Sequence, residues 1–407
     1  MAEAIRKNDS KKVVLKFLLS DIQFATRDLK EISLLNELNF KTMVLCVGEE
    51  SEIEETSNGI IIRKIPNLKL SRSQTRIVRA IKIIRRKVLL IGILRDLRPT
   101  CISCHDIDAL LLGWISTILI KKSKRPLLVY DSHEFEAGRN TNGSRGKIAN
   151  WLVLKLERFL IKRTVLNIMV NDVIAEEVRE LHHLKEKPLV IRNIPRYFQI
   201  NELLCHQQKK AFYSELGLQN ETFLVMYHGA FTHGRGIENL LKAITDLQKV
   251  AVILLGFGEQ SYISHLTNLI SSLKIQERVC FIPAVSQDEL WKYVGAVDVG
   301  MVLIENVCKS YYNSLPNKLF ENIQAETPVI GSNFPEIRKI IETYQIGICC
   351  DPSDPESIAR EIKRLQQDKE QYTIFKQNLK HAKKELCWEN EKLLLAEAYS
   401  KILNVKN

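Results

Sequence analysis

Short apolar runs rich in β-branched residues alternate with helical patterns along the whole chain. This alternation predicts α/β layers with parallel sheets, because consecutive parallel strands need a long crossover that is usually a helix. The runs form two comparable series, and a series of about 200 residues is enough for one doubly wound domain. The predicted strands are Val13–Leu19, Thr42–Val47, Ile60–Ile65, Thr100–Ser103, Leu127–Tyr130, Asn167–Val170, Leu189–Ile191, Phe223–His228, Val250–Leu255, Val279–Phe281, Val297–Val302, Pro328–Ile330 and Gly347–Cys350.

A polar stretch without strand signals separates the two series. It begins at Asn193 and reaches about residue 219, and segments of this composition commonly join domains. We therefore expect an N-terminal domain over residues 1–200 and a C-terminal domain over residues 201–386. The final segment, 387–407, has an apolar face and no following strand, so we expect a helix that packs back on the N-terminal domain.

Composition narrows the class of protein. Apolar residues make up 45% of the 407 residues and the net charge is +11, which fits a globular, moderately basic chain. The first ten residues are polar, unlike a signal peptide, and the longest apolar runs are shorter than the roughly 20 residues that span a bilayer. Nine scattered cysteines favour reduced thiols over a disulfide framework. We expect a cytoplasmic protein.

Positive charge is concentrated between Arg72 and Arg98. This segment holds nine cations and one acid, Asp96, and so carries most of the net charge. A basic amphipathic helix can lie on an anionic membrane surface, which is the partner we expect, although a helix packed on its own domain with a solvated basic face stays open. Nucleic acid is not expected, because no recognition motif or aromatic platform accompanies the charge. The apolar residues of the Arg72–Arg98 segment recur at helical spacing: Ile77, Ile81, Ile84, Val88 and Ile91.

A glycine-containing loop follows the predicted strand that ends at His228. Gly229 opens the loop, and Arg235 lies just before the next helical pattern. Backbone amides and a guanidinium in this position can face an anion, with phosphate as the natural ligand. A tight turn with a solvated arginine explains the same letters, so the loop alone leaves both interpretations open.

A second loop, between Tyr311 and Asn322, strengthens the phosphate interpretation. Pro316 suits a first helical turn, which leaves free amides near Asn317 and Lys318. Glu321 lies one turn further along, where a carboxylate can accept hydrogen bonds from two adjacent ribose hydroxyls. The alternative for Glu321 is a solvent-facing acid on a helix.

With these two loops and the sequence Gly256-Phe257-Gly258, the chain resembles the retaining GT-B glycosyltransferases of glycosyltransferase family 4, also described as glycosyl transferases group 1. The resemblance covers nearly the whole chain. It implies an α/β fold of two Rossmann-like, doubly wound domains that face each other across a cleft. The C-terminal domain would bind a nucleotide-sugar and the N-terminal domain an acceptor.

The resemblance also assigns residues. The family has two acids separated by seven residues, and here Glu321 takes the second place, which usually holds the ribose, while Asn313 takes the first. Arg235 stands in the place of the usual lysine, and Ala230 stands where many relatives carry an arginine, so Lys318 is expected to restore the second positive charge. The implied donor-binding residues are Gly229, Arg235, Gly256, Asn313, Ser314, Leu315, Pro316, Asn317, Lys318 and Glu321.

The implied catalytic residues are His105, Arg235, Lys318 and Glu321. The segment from His105 to Gly113 resembles the family segment whose histidine lies near the donor sugar, and a histidine satisfied at a strand end is the alternative. His133, at the polar end of the next predicted strand, is a weaker candidate.

Asp106 and Asp108 spell the metal-binding DxD motif of the other major glycosyltransferase architecture. A divalent cation there would neutralise a diphosphate. Because the second half of the chain supplies cationic side chains and helix N-termini for that purpose, we expect no metal and no cofactor beyond the nucleotide diphosphate-sugar donor.

These observations predict a glycosyltransferase that moves a sugar from a nucleotide diphosphate to a lipid-linked or cell-surface glycan acceptor with retention of configuration. We expect it to be cytoplasmic and peripheral on the inner face of the membrane. Two alternatives remain: a nucleotide-sugar epimerase of the same fold and a non-catalytic membrane-surface scaffold. The base, sugar, linkage, acceptor and oligomeric state stay open.

Overall fold

The computed structural model describes residues 11–22, 25–68, 75–133, 135–139, 146–219 and 221–404. The chain forms two compact units. The first holds the described residues up to Ala137, those from 146 to Arg192 and those from Lys392 onward. The second runs from Asn193 to Glu391, together with Gly138 and Arg139.

The first unit contains eight strands among its described residues: β1 (Val13–Asp21), β2 (Lys41–Gly48), β3 (Glu52–Glu55), β4 (Ile61–Pro66), β5 (Cys101–His105), β6 (Leu127–Asp131), β7 (Leu166–Met169) and β8 (Leu189–Val190). They form one sheet in the order β3-β4-β2-β1-β5-β6-β7-β8. Neighbouring strands are parallel, except that β3 pairs antiparallel with β4. Strand β3 is not among the predicted strands.

Among the described residues before Asn193, the α-helices of this unit are, in chain order, α1 (Thr26–Glu37), α2 (Arg76–Leu97), α3 (Asp106–Thr117), α4 (Lys147–Ile161) and α5 (Asp172–His182). The central strands are buried on both faces, which explains their near-continuous apolar sequences. In helix α2 only the last turns are buried, through Leu90, Ile93, Leu94 and Leu97. The first four turns of α2 are therefore open to solvent.

The second unit contains six strands among its described residues: β9 (Phe223–Phe231), β10 (Val250–Gly258), β11 (Val279–Pro283), β12 (Val299–Val302), β13 (Val329–Ser332) and β14 (Gly347–Cys350). Their order is β11-β10-β9-β12-β13-β14, and every neighbouring pair is parallel. The predicted α/β class with two doubly wound parallel sheets is confirmed.

The helices of the second unit are α6 (Glu202–Glu215), α7 (Ile237–Ala243), α8 (Gln260–Ser272), α9 (Gln287–Val294), α10 (Lys309–Tyr312), α11 (Asn317–Gln324), α12 (Pro335–Tyr344), α13 (Pro355–Gln367) and α14 (Lys369–Glu385). Short 3-10 helices cover Lys122–Lys124, Glu136–Gly138 and Gln276–Arg278. The terminal helix, α15 (Trp388–Asn404), gives its residues from Lys392 onward to the first unit. There Lys12 Nζ donates to the carbonyl of Leu403 at 2.5 Å, and Lys392 Nζ lies 3.1 Å from a Glu37 oxygen.

All nine cysteines are free. Within the described ranges, no helix has the length and apolar character needed to cross a membrane.

Candidate functional site

The carboxyl ends of parallel strands meet at one edge of each sheet, and ligands of doubly wound folds bind at that edge. In the second unit this edge is formed by the loops after β9, β10 and β12. The residues that the sequence predicts for donor binding lie in these loops, in the ends of β9 and β10 and in helix α11. In the first unit the same edge carries His105, so the predicted site residues are divided between the two units.

Glu321 and His228 form the pair that fixes the first of these loops to helix α11. His228, in β9, places Nε2 2.9 Å from Oε2 of Glu321, and the imidazole is buried. Burial raises the pKa of Glu321, but the hydrogen bond and charge of His228, together with a hydrogen bond from Gln287 and the charge of Lys318, outweigh burial, so the net pKa lies below its usual range. Glu321 is therefore a fixed, ionised carboxylate that can accept hydrogen bonds from a ligand.

Lys318 lies one turn before Glu321 on α11. Its Nζ is buried, has no hydrogen-bond partner among the described residues and lies 3.7 Å from the centroid of the Tyr227 ring. Burial lowers the pKa of Lys318 well below its usual range, and the charge of Arg235 lowers it further, while Glu321 opposes both effects. A buried ammonium without an acceptor is costly, so this group is poised for an anion.

Arg235 lies between Gly234 and Gly236, which have positive φ angles of 79° and 67°. Its Cζ lies 4.6 Å from the ring centroid of Tyr311, a residue of the second loop. Since the charge of Arg235 lowers the pKa of Lys318, the two cations act on a common region.

Gly229 and Gly256 bring the backbones of β9 and β10 into close approach. A Cβ at Gly256 would lie 1.9 Å from the carbonyl oxygen of Gly229, and a Cβ at Gly229 would lie 3.9 Å from Lys318 Nζ. Gly229 has a φ of 115°. The edge beside the lysine is therefore bare backbone, which leaves room for a phosphate next to the cation.

Asn313 to Asn317 form the turn that leads into α11. Asn313 caps α10 and is buried, the Ser314 hydroxyl donates to the carbonyl of Tyr311 at 2.7 Å, and Pro316 is the N-cap of α11. Leu315 packs against the apolar core of the unit. The structure thus brings Gly229, Lys318 and Glu321 together and makes Asn313–Asn317 their supporting loop, while His105 lies in the first unit.

His105 and His133 form a stacked pair at the carboxyl edge of the first sheet. Their ring centroids are 3.8 Å apart. Asp106 ties the pair together, because its Oδ1 accepts a hydrogen bond from the His133 backbone N–H at 3.1 Å. Asp106 adopts a φ of 66°, a left-handed conformation that costs free energy and needs support from its surroundings.

A buried ion cluster lies beneath the two histidines, and it is not among the sites that the sequence predicts. Lys16 Nζ lies 3.0 Å from Asp28, 2.6 Å from Glu31 and 3.1 Å from Asp131. Arg27 bonds Glu31 at 2.8 Å and Asp131 at 2.6 Å. All five side chains are fully buried. Three carboxylates thus face two cations.

Asp28 links this cluster to His105. His105 Nδ1 lies 2.9 Å from Asp28 Oδ2. Burial lowers the pKa of His105, but the hydrogen bond and charge of Asp28 outweigh it and the net pKa is raised. Burial alone would raise the pKa of Asp28, yet Lys16 and the histidines hold it well below its usual range. The imidazole is therefore oriented by a permanent charge.

Ligand atoms of Asp28, His105 and His133 lie within 4.8 Å of one another, as do those of Asp28, Glu31 and Asp131. The ammonium of Lys16 contacts all three carboxylates of the second group. The lysine thus occupies the position in which a cation would neutralise these acids, which makes this carboxylate group a poor metal site.

Part of the second unit is similar to a known protein family. Residues 208–382 match the family model for glycosyl transferases group 1. The matched residues lie within the second unit. A curated relative, an uncharacterized glycosyltransferase of Methanocaldococcus jannaschii, is 25% identical over 334 residues, which cover 80% of each chain. These matches support the assignment of the chain as a glycosyltransferase.

Solved structures match over nearly the whole chain. Sucrose-phosphate synthase from Thermosynechococcus elongatus has a TM-score of 0.76 at 16% identity and covers 97% of this chain and 100% of its own. HepE of Anabaena, solved with UDP-glucose, has a TM-score of 0.72 at 16% identity and covers 95% and 99%. The catalytic domain of starch synthase IV from Arabidopsis thaliana, bound to ADP and acarbose, has a TM-score of 0.70 at 13% identity and covers 96% and 99%. The predicted GT-B fold is confirmed.

Proposed function

We propose that this protein is a retaining glycosyltransferase of family 4 that transfers a hexose from a nucleotide diphosphate-sugar to a lipid-linked or cell-surface glycan acceptor. The observation that carries the proposal is the buried, unpartnered Lys318 ammonium beside the ionised Glu321 carboxylate and the bare backbone of Gly229. A cation for a diphosphate and an acid for a ribose lie within one helical turn.

The donor is proposed from this charge pattern and from a relative. HepE was solved with UDP and with UDP-glucose, and it shares the fold of this chain. Glu321 would accept hydrogen bonds from ribose hydroxyls, while Arg235 and Lys318 would bind the diphosphate. Both cations stabilise the charge that develops on the leaving group, and they do so without a metal ion.

The proposed reaction breaks the bond between the anomeric carbon and the diphosphate oxygen and forms a bond from the acceptor oxygen to the same face of that carbon. The proton of the acceptor hydroxyl passes to an oxygen of the departing diphosphate. No protein nucleophile is assigned. His105 would hydrogen-bond a sugar hydroxyl, and this contact accelerates the reaction only if it is stronger in the transition state.

The acceptor and the location are proposed from surface charge. The described part of the Arg72–Arg98 segment is the basic helix α2, and Arg72 itself lies outside the described residues. A basic surface favours an anionic leaflet, as on the inner face of a membrane. A lipid-linked acceptor would be met at that surface.

A thermal-shift panel of UDP, GDP, ADP and dTDP, each with its sugars, tests the donor site on the wild type and on Glu321→Ala. One nucleotide should raise the apparent stability by mass action, and the shift should disappear in the variant. Transfer to an acceptor extract, with the anomeric configuration of the product read by NMR, tests retention. Inverted product would contradict the proposed mechanism.

The same measurements separate the two alternatives. A nucleotide-sugar epimerase would change the donor sugar without any acceptor. A membrane-surface scaffold would bind vesicles, but none of the nucleotides would change its unfolding temperature. Asn313 stands in place of the usual first acid, and this departure is the reason to test for a protein without transferase activity.

A further inference from the structure

We infer that the first turns of helices α2 and α4 form one docking surface for an anionic lipid bilayer, which both helices enter through apolar side chains. The bilayer contact stands independently of the proposed chemistry. Only its use, the delivery of a lipid-linked acceptor to the edge that carries His105, rests on the proposed function.

Helix α2 carries two apolar stripes rather than one. With 3.6 residues per turn, Ile77, Ile81, Ile84 and Val88 fall within an arc of about 60°, which points away from the stripe that packs on the core. These four side chains are exposed by 73%, 48%, 60% and 63%. A water-facing stripe of this kind is unfavourable unless a partner covers it.

Helix α4 repeats this pattern. Ile148, Trp151 and Leu152 share one face of its first turns and are exposed by 78%, 56% and 55%. Lys155 lies on the same face, with Nζ 5.5 Å from the Trp151 ring centroid. Tryptophan beside lysine is a side-chain pair typical of the membrane interface, where the ring is buried near the headgroups and the ammonium reaches the phosphates.

The fold places the two surfaces at the same edge. Helices α2, α3 and α4 connect strands that succeed one another in one direction across the sheet, and right-handed crossovers put them on one face. Helix α3 contacts both α2 and α4, and each helix runs antiparallel to the strands. Their first turns therefore lie near the carboxyl edge, where His105 and His133 are found.

Charge identifies the occupant. The exposed half of α2 carries cations and no acid, and the sole acid of α4, Glu157, is buried against Tyr130 and His182. Apolar side chains surrounded by cations match an anionic bilayer, which offers hydrocarbon beneath a layer of phosphate. The cations of the exposed half of α2 are Arg76, Arg79, Lys82, Arg85, Arg86 and Lys87.

Sedimentation with vesicles tests the surface on the full chain, without nucleotide or acceptor. Phosphatidylcholine vesicles with about one third phosphatidylglycerol should bind the wild type, and pure phosphatidylcholine should bind it far more weakly. Serine at all four stripe positions of α2 should weaken binding by at least about a hundredfold. Because these side chains are exposed, the variant should unfold at the same temperature as the wild type.

A charge variant provides the second comparison. Arg76→Gln, Arg79→Gln, Lys82→Gln and Arg85→Gln together should weaken binding by about fivefold per cation and flatten its salt dependence. The matched control removes four exposed cations of the second unit and should bind like the wild type. Its positions are Lys242, Lys363, Lys369 and Lys384.

Trp151 reports on α4 by itself. Its fluorescence should shift to shorter wavelength on anionic vesicles, and the shift should disappear in Trp151→Phe. Equal binding of the wild type and the stripe variant would overturn the inference. So would self-association that the stripe variant abolishes, since the surface would then join two copies of the chain. Nucleotide binding in the thermal-shift panel decides the proposed function separately.

Discussion

His228 Nε2 lies 2.9 Å from Glu321 Oε2, and this contact joins strand β9 to helix α11 at the proposed donor site. The histidine holds one oxygen of the carboxylate and lowers its pKa. The strand that bears the glycine loop and the helix that bears Lys318 are thereby fixed to each other. The geometry of the site depends on this pair.

We expect His228→Phe to weaken nucleotide binding and His228→Gln to preserve most of it, because the glutamine amide can still donate to Glu321. Burial raises the pKa of Glu321, and without His228 only Gln287 and Lys318 oppose this effect. The pKa of Glu321 should therefore be higher in the phenylalanine variant, and affinity should fall as the pH is lowered, at a higher pH than in the wild type. Loss of a hydrogen bond to a charged group corresponds to about 2 kcal/mol, or roughly 30-fold in Kd. Calorimetry of nucleotide binding at several pH values measures both effects.

Glu221→Gln serves as the control for that experiment, because Glu221 is an exposed acid whose side chain pairs with Lys249 at 3.1 Å. Equal affinities of the wild type and His228→Phe across the pH range would contradict a role for the pair.

We expect Lys318→Met to stabilise the free protein and to weaken nucleotide binding. The pKa of Lys318 is lowered in the folded state, so between that pKa and about 10.4 the unfolded chain binds more protons and wild-type stability should rise with pH. The methionine variant should lose this dependence. Chemical unfolding at a series of pH values measures it.

A bound diphosphate should raise the pKa of Lys318, so wild-type binding should take up protons above the pKa of the free protein. Calorimetry in buffers of different ionisation enthalpy detects the uptake, which should disappear in Lys318→Met. Identical proton uptake in the two proteins would remove Lys318 from the diphosphate site.

Asp106 gives a third prediction. Asp106→Asn keeps the acceptor for the His133 N–H and tolerates the left-handed backbone, so it should fold normally and lower the pKa of His105, whose charged form Asp106 favours. Asp106→Ala should lose roughly 1 to 2 kcal/mol of stability through the positive φ alone. Asp106→Gly keeps the backbone but removes the acceptor.

NMR titration of His105 and the steady-state rate separate these effects. If Asp106 positions the histidines, Asp106→Asn should be more active than Asp106→Gly, and the pH profile of the asparagine variant should be displaced. A purely structural role predicts activity that follows stability alone across the three variants.

Lys16→Met should destabilise the first unit by about 3 to 5 kcal/mol, because Arg27 would be the one permanently charged cation left in the cluster with three buried carboxylates. The pKa values of Asp28 and Asp131 are lowered in the folded state, so the cluster stabilises the fold above about pH 4 and this contribution is lost as the pH falls further. The variant should unfold at a higher pH during acid titration. Circular dichroism follows the transition, and an unchanged acid midpoint would contradict the assignment.

The α/β class was predictable because buried parallel strands are apolar along their whole length. Strand β3 was not, since Glu52–Glu55 has one apolar residue and forms by pairing with β4. A turn signal did exist: Asn58 and Gly59 lie between the two strands, and Gly59 has a φ of 74°. Pairs of this kind favour hairpins.

The candidate site was predictable in part. Lys318 and Glu321 share a short motif, and spacing alone placed them on one helix. Lys16 lies inside an apolar run and its partner Asp131 is far away in sequence, so only the folded sheet brings them together. The sequence pattern places His228 only at the end of a predicted strand, although a histidine immediately before Gly229 is a signal for the site.

Strand β3 has a consequence for crowded conditions. It is one edge strand of the eight-stranded sheet, and its Glu52, Glu54 and Glu55 are exposed. Lys64 Nζ lies 2.9 Å from Glu52 and 3.5 Å from Glu54. The opposite edge strand, β8, is only two residues long. Sheets polymerise through long, uncharged edge strands. Here the edge strand β3 is acidic and the edge strand β8 is too short. Copies of the protein concentrated on a surface therefore gain no route to filaments through this sheet.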